Sequence, residues 1–173
     1  ARYEGWPAWT PDSTGVVFTS NRSGVSTLWR HDLRDGAEQQ LVRFSDFDSP
    51  TRLLAQAAVS PDGRSLAYQR WAESGVQLAL SPIAGGKPTV MDAADTARHD
   101  QPAWSPDGQW IAFLVRGELR KVRAGGRAPS VLIRNDHGVN GAADVVRLGH
   151  LHPMPLGQEV RVRRRRHRSH LPT

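Results

Sequence analysis

Apolar positions along this chain come in short bursts parted by Pro, Gly, Asp and Ser, and the bursts recur as a set. The clearest set is Gln101-Pro102-Ala103-Trp104-Ser105-Pro106-Asp107-Gly108-Gln109-Trp110-Ile111-Ala112-Phe113. Two more worn versions run from Trp6-Pro7-Ala8-Trp9 to Val16-Val17-Phe18 and from Gln56-Ala57-Ala58-Val59 to Leu66-Ala67-Tyr68. With Pro11, Pro61 and Pro106 as origins, 50 and 45 residues apart, Trp9, Val59 and Trp104 lie two places before, and an aromatic (Phe18, Tyr68, Phe113) lies seven places after. Gly24, Gly75 and Gly117 precede a third apolar stretch. Asp35-Gly36, Gly85-Gly86 and Gly125-Gly126 precede a fourth, which reaches Leu41, Met91 and Val131.

Each set predicts four short strands joined by three turns. Pro presets the first corner of the first turn, Asp bonds its own backbone two residues on, and Gly tolerates the exit. Asp-Gly and Gly-Gly between the third and fourth stretches are hairpin signals. The dense apolar run of the second stretch suits a strand covered on both faces. Four strands per roughly 40–45 residues is the period of a propeller blade, and one blade cannot bury both its faces alone. The expected fold is therefore all-β: a partial β-propeller of about three four-stranded antiparallel blades plus an incomplete fourth.

The register places blades at 6–43, 56–91 and 101–133, with the start of a fourth at 134–144. The third copy is shorter, which is read as a trimmed middle hairpin loop. Connectors fall at 43–54 and 92–100, and the segment from Thr51 to Gln56 is allowed one helical turn at most. Residues 70–75 are expected to form a loop on one rim, with Trp71 as a candidate contact.

Composition changes this picture at one place only. Residues 1–144 hold 16 basic and 16 acidic side chains, so the net charge of +6 belongs wholly to residues 145–173. There the register calls for Trp-Ser-Pro-Asp-Gly, but the chain reads Val145-Val146-Arg147-Leu148-Gly149 and turns Arg- and His-rich. That tail is expected to be disordered or a frame-shifted ending. The chain opens on Ala1 within a repeat and is read as a fragment. It has no cysteine, so thiol chemistry is excluded. No apolar run approaches the roughly 20 residues of a membrane span.

The motif Trp104-Ser105-Pro106-Asp107-Gly108 with Ile111-Ala112-Phe113 resembles the PD40 (WD40-like) repeat of TolB-type propellers. So does Trp9-Thr10-Pro11-Asp12 with Val16-Val17-Phe18 and Leu28-Trp29; the middle copy departs by Val59 in the tryptophan slot. The resemblance covers residues 6–133. It implies a non-catalytic scaffold that binds a protein or peptide, completed by the remaining blades of a parent propeller, and it favours the periplasm or cell envelope. It also leaves open an accessory propeller of a prolyl-oligopeptidase-like serine peptidase, or the sensor propeller of a winged-helix membrane regulator.

The candidate chemistry is sparse. The recurring Pro11, Asp12, Pro61, Asp62, Gly63, Pro106, Asp107 and Gly108 are read as structural turn residues. A metal or acid–base role for the three carboxylates is the weaker reading, because such turns prefer Asp. There is no Gly-x-Ser-x-Gly elbow, and Ser60, Ser105, His31 and His99 are scattered over different blades. No catalytic residue, cofactor or metal site is expected; His150 and His152 are too few for a coordination shell. The run Arg161 to Arg168 has no interleaved aromatic for base stacking, and no nucleic-acid partner is expected. Trp9 and Trp104, at equivalent slots, are expected to pack between blades.

Overall fold

The computed structural model describes residues 3–91, 99–126 and 128–133. They form three four-stranded antiparallel sheets, each with its strands side by side in chain order. The first holds β1 (Glu4–Trp9), β2 (Gly15–Ser20), β3 (Thr27–Asp32) and β4 (Glu38–Val42). The second holds β5 (Thr51–Val59), β6 (Ser65–Ala72), β7 (Gly75–Pro82) and β8 (Thr89–Val90). The third holds β9 (His99–Trp104), β10 (Trp110–Val115), β11 (Glu118–Arg123) and β12 (Ser130–Ile133). This is a partial β-propeller of three blades. The expected fourth-blade start at 134–144, the Arg/His-rich tail 145–173 and most of the 92–100 connector lie outside the described residues.

The blades pack face to face, and the second strand of each blade supplies the buried centre. Successive side chains on a strand point to opposite faces. Leu66 and Tyr68 of β6 therefore meet Val17, Leu28, Leu41 and Val42 of the first blade. Ala67 of the same strand, with Leu78 and Met91, meets Ile111, Phe113, Val115 and Val122 of the third. Tyr68 and Phe113 are fully buried. The Tyr68 hydroxyl reaches Ser81 Oγ at 2.6 Å, so its polar end is satisfied.

The three first turns share one hydrogen-bond pattern. The N–H of Thr10, Ser60 and Ser105 donates to the carbonyl of Gly15, Ser65 and Trp110 at 2.8–2.9 Å. The turn exits sit in the left-handed region: Gly63 at φ 71°, Gly108 at φ 68°, and Ser13 at φ 57° in place of glycine. A Cβ at Gly63 would come 3.9 Å from Cδ of Pro11, and one at Gly108 would come 3.8 Å from Cδ of Pro61. Each turn's proline thus lies beside the next turn's glycine, and the turns form a ladder along one rim.

A second repeated feature lies in the first strands. Trp6, Gln56 and Gln101, each five residues before its proline, have φ of 49°, 52° and 53°. Each marks a bulge where pairing with the second strand skips. Such a bulge bends the strand and re-aims its neighbours.

Several expectations change. The segment 51–56 is not a helical turn: β5 begins at Thr51, and the one 3-10 turn of the connector is Phe44–Asp46. Residues 70–72 are not loop. They extend β6, and the loop is Glu73-Ser74, as short as Arg116-Gly117 in the third blade. The third copy is therefore shorter than the second in its strands and not in that loop, against the expected trimming. Arg70 shows why the strand continues. It is buried (3% exposed) against the Phe47 ring at 4.4 Å. Its guanidinium donates to Thr51 Oγ1, Gln77 Oε1, and the carbonyls of Ser49 and Pro50. Trp9 is 66% exposed rather than packed between blades.

Ser13 offers a direct test of the turn geometry. The left-handed conformation costs an L-residue about 1–2 kcal/mol, partly offset by the greater unfolded-state freedom of glycine. Ser13→Gly is expected to raise stability in urea denaturation by about 0.5–1 kcal/mol, and Gly108→Ser to lower it by a similar amount.

Candidate binding rim

Strand direction alternates within a blade, so its first and third turns share one rim and its second turn lies on the other. Main-chain bonds tie the two turns of the shared rim: Leu33 N–H to Thr14 O, Ile83 N–H to Arg64 O, and Ala124 N–H to Gln109 O, at 2.8–2.9 Å. This rim carries Asp12, Asp62 and Asp107.

The three carboxylates sit in near-identical surroundings. Oδ1 of Asp12 accepts from Thr10 Oγ1 at 2.6 Å and from the Thr14 N–H at 3.1 Å. Oδ1 of Asp62 accepts from Ser60 Oγ at 2.5 Å and from the Arg64 N–H at 3.0 Å. Oδ1 of Asp107 accepts from Ser105 Oγ at 2.5 Å and from the Gln109 N–H at 3.0 Å. Each hydroxyl in turn accepts the N–H five residues on at 2.9 Å, from Gly15, Ser65 and Trp110. Donors converging on a carboxylate favour its charged form. The hydroxyl bond is the largest cause in each case, and it holds Asp12 at about 2 and Asp62 and Asp107 below the usual carboxylate range. The hydroxyl one residue before each proline was visible in the register as Thr, Ser, Ser, but its part in the turn needed the geometry.

Two equivalent grooves open between blades on this rim. The groove between the first and second blades has a volume of about 420 Å³ and is bounded by Pro11, Asp12, Arg30, Asp62 and Ile83. The groove between the second and third has about 570 Å³ and is bounded by Pro61, Asp62, Leu80, Trp104 and Asp107. Half-buried Trp104 forms part of this wall, and its indole N–H donates to the Ala58 carbonyl at 3.1 Å. The ladder of turns brings Pro11, Pro61 and Pro106 to this rim with the carboxylates.

Trp71 lies elsewhere. It is half-buried near the end of β6, toward the opposite rim, and its indole N–H donates to Gln69 Oε1 at 2.8 Å. Gln69 Nε2 donates to the carbonyl of His99 at 2.8 Å and to Asp100 Oδ1 at 2.6 Å. The His99 ring stacks on Phe113, with centroids 5.4 Å apart, and Nδ1 lies 2.7 Å from the Val76 carbonyl. This polar network joins the second and third blades. His31, in β3, faces Glu38 at 3.5 Å. The candidate nucleophiles and bases are therefore not brought together: Ser60 and Ser105 bond to turn carboxylates, while His99 and His31 serve other contacts. Among the described residues no group of three or more His, Cys, Asp or Glu is placed to hold a metal ion.

No protein-family model and no curated protein matches the sequence. Solved structures do match the fold. TolB from Acinetobacter baumannii is 24% identical with a TM-score of 0.60, over 73% of this chain and 31% of that one. A puromycin-hydrolyzing peptidase of Mycobacterium tuberculosis is 18% identical with a TM-score of 0.61, over 78% of this chain and 22% of that one. Oligogalacturonate lyase from Vibrio parahaemolyticus is 13% identical with a TM-score of 0.55, over 72% and 38%. The chain thus has the fold of TolB-like and related propellers, and it spans about a third of the length of that TolB.

The depressed carboxyls set a pH dependence. A carboxylate whose pKa is lower folded than unfolded stabilises the fold above its unfolded value, near 3.8, and that contribution is lost as pH falls through the folded value. The urea midpoint is expected to drop between pH 4 and pH 2. Asp12→Asn should make the drop shallower, because Asn keeps an acceptor in the turn but does not titrate there.

Proposed function

We propose that the chain is a non-catalytic propeller scaffold that holds a protein or peptide partner across the rim of Pro-Asp turns. The observation that carries this reading is the pair of equivalent inter-blade grooves, whose walls are turns fixed by repeated hydrogen bonds. A rim whose main chain is already bonded loses little conformational freedom when a partner seats on it. The grooves differ in side chains while sharing a frame: Arg30 and Ile83 line one, Trp104 and Leu80 the other. That combination of constant frame and variable wall suits recognition of a segment that crosses several blades.

The groove between the second and third blades places two ionised carboxylates beside an indole. A basic segment complements it, with its cation near Asp62 or Asp107 and its aliphatic stem against Trp104. In this reading Ser60 and Ser105 do no chemistry, because their hydroxyls already donate to Asp62 and Asp107. The remaining blades of a longer propeller would extend the same rim.

Selection of random peptides on the purified chain tests this. Enriched peptides are expected to be basic and to bind more weakly as salt rises. The double variant Asp62→Asn, Asp107→Asn keeps acceptors in both turns and should weaken them about tenfold, since both charges that face the basic segment are removed. Glu73→Lys on the opposite rim should change nothing. Peptides that ignore the double variant but respond to Glu73→Lys would move the binding face to the rim near Trp71.

A further inference from the structure

The two grooves of the Pro-Asp rim share a frame but not a charge. Each lies against the third strand of the blade before it, and the wall residue there stands 19 places after that blade's proline: Arg30 in one, Leu80 in the other. The register makes the two equivalent, since Arg30 pairs with Val17 and Leu80 with Ala67, each six places after its proline. Both turn toward the next blade, as Leu28 and Leu78 two places earlier do. The groove between the first and second blades therefore holds a cation beside Asp12 and Asp62. The groove between the second and third has Asp62 and Asp107 on its walls and no basic residue.

The fold makes room for Arg30. A Cβ at Gly15 would come 3.1 Å from Arg30 Nε, whereas the equivalent positions carry the side chains of Ser65 and Trp110. Arg30 Nε is buried and makes no hydrogen bond among the described residues. The carboxylate that pairs with Arg30, Asp32, lies 3.4 Å from Nη2 and is already held by Arg34 at 2.7 and 3.0 Å. Little of the Arg30 charge is thus cancelled by its own strand, and it acts on the groove. The hydrogen bonds of the turn are the larger cause of the low Asp12 pKa, and the Arg30 charge adds to them. Other cations do not separate the grooves. Arg64 belongs to the turn of Asp62, which both grooves share, and Lys121 and Arg123 stand by the Trp110 ring at 4.5 and 5.7 Å.

We propose that this one wall position selects the groove. Arg30 puts the chain's own cation in the first groove and closes it to another. Leu80 leaves the second groove open to a single basic side chain, with its charged head at Asp62 and Asp107 and its stem along Leu80 and Trp104. The inference rests on the basic-segment reading above and narrows it to one cation across these three blades. A like charge set against a ligand rejects it as surely as an opposite charge recruits it.

NMR titration of the full 173-residue chain with N-acetyl-arginine amide tests the proposal, with N-acetyl-citrulline amide as the neutral isostere. The Gln109 N–H, bonded to Asp107, reports on the second groove, and the Thr14 N–H, bonded to Asp12, on the first. In the wild type, arginine amide should shift the Gln109 and Trp104 indole N–H signals to saturation and leave Thr14 unmoved, and citrulline amide should move none of them. Arg30→Leu, which installs the residue the fold already holds at the equivalent site, should make Thr14 respond as well, so that a second cation binds. Arg30→Gln, which keeps a polar head, should do the same. Leu80→Arg should weaken the Gln109 response at least about tenfold; where it disturbs the packing of Leu80, the two Arg30 variants decide. Response of both reporters in the wild type, a silent Thr14 in both Arg30 variants, or an undiminished Gln109 response in Leu80→Arg would overturn the selection and leave the basic-segment reading standing. A wild type in which arginine amide moves neither reporter, or in which citrulline amide moves Gln109 equally, would overturn that reading and this inference with it.

Discussion

A four-stranded sheet has two faces, and a blade is stable only where both meet another sheet. Everything in this chain follows from that requirement on the second blade. Its central strand, β6, is buried along both faces: Leu66 and Tyr68 belong to one interface, Ala67 to the other. Alternation along a single strand thus sorts residues between two separate cores. A shift of one residue in its register would exchange the two sets and put Tyr68, which fills the first interface, into the space occupied by Ala67. The turn networks around Asp62 and the bulge at Gln56 are local structures that pin that register at the inner edge of the blade.

The repeat was legible because its turns are local. Pro and Asp act on their own neighbours, so Pro11, Pro61 and Pro106 betray the register without any tertiary information. The aromatic seven places on was visible for the same reason: a strand must follow the turn, and its buried centre must be filled. The bulges were not legible. Nothing in Trp6, Gln56 or Gln101 marks a left-handed residue by type, and only their common distance from the prolines shows that the conformation is repeated. The start of β5 was hidden for a different reason. Ser49, Pro50 and Thr51 look like a loop by composition, and a buried arginine 20 residues away decides otherwise.

The candidate site shows the same division. The recurring aspartates were evident as turn residues, and their hydroxyl partners sit next to the prolines in the sequence. The grooves were not evident, because they arise between blades whose turn positions differ by 50 and 45 residues. Trp71 misled because a tryptophan between Arg and Ala-Glu-Ser-Gly reads as an exposed loop. Its strand continues because Arg70, beside it, is fixed on the opposite face. Trp9 misled in the opposite sense. Equivalence to Trp104 predicts burial only if a blade with a matching carbonyl lies on the side that Trp9 faces, and no described residue of the same chain supplies one.

The grip of Arg70 on the segment before β5 has a consequence for how this chain could be rewired. Sites that tolerate new termini are exposed stretches whose main chain is not engaged. By composition, Ser45 to Pro50 would be a natural place to open the chain and rejoin it elsewhere. Two of its carbonyls, those of Ser49 and Pro50, are instead held by a buried guanidinium that also contacts the Phe47 ring. The apparent tether between the first two blades is therefore a structural part of the second. A circular permutant cut there would loosen two of the carbonyls that hold a buried cation, whereas a cut at Ser23 would leave all of that cation's acceptors in place.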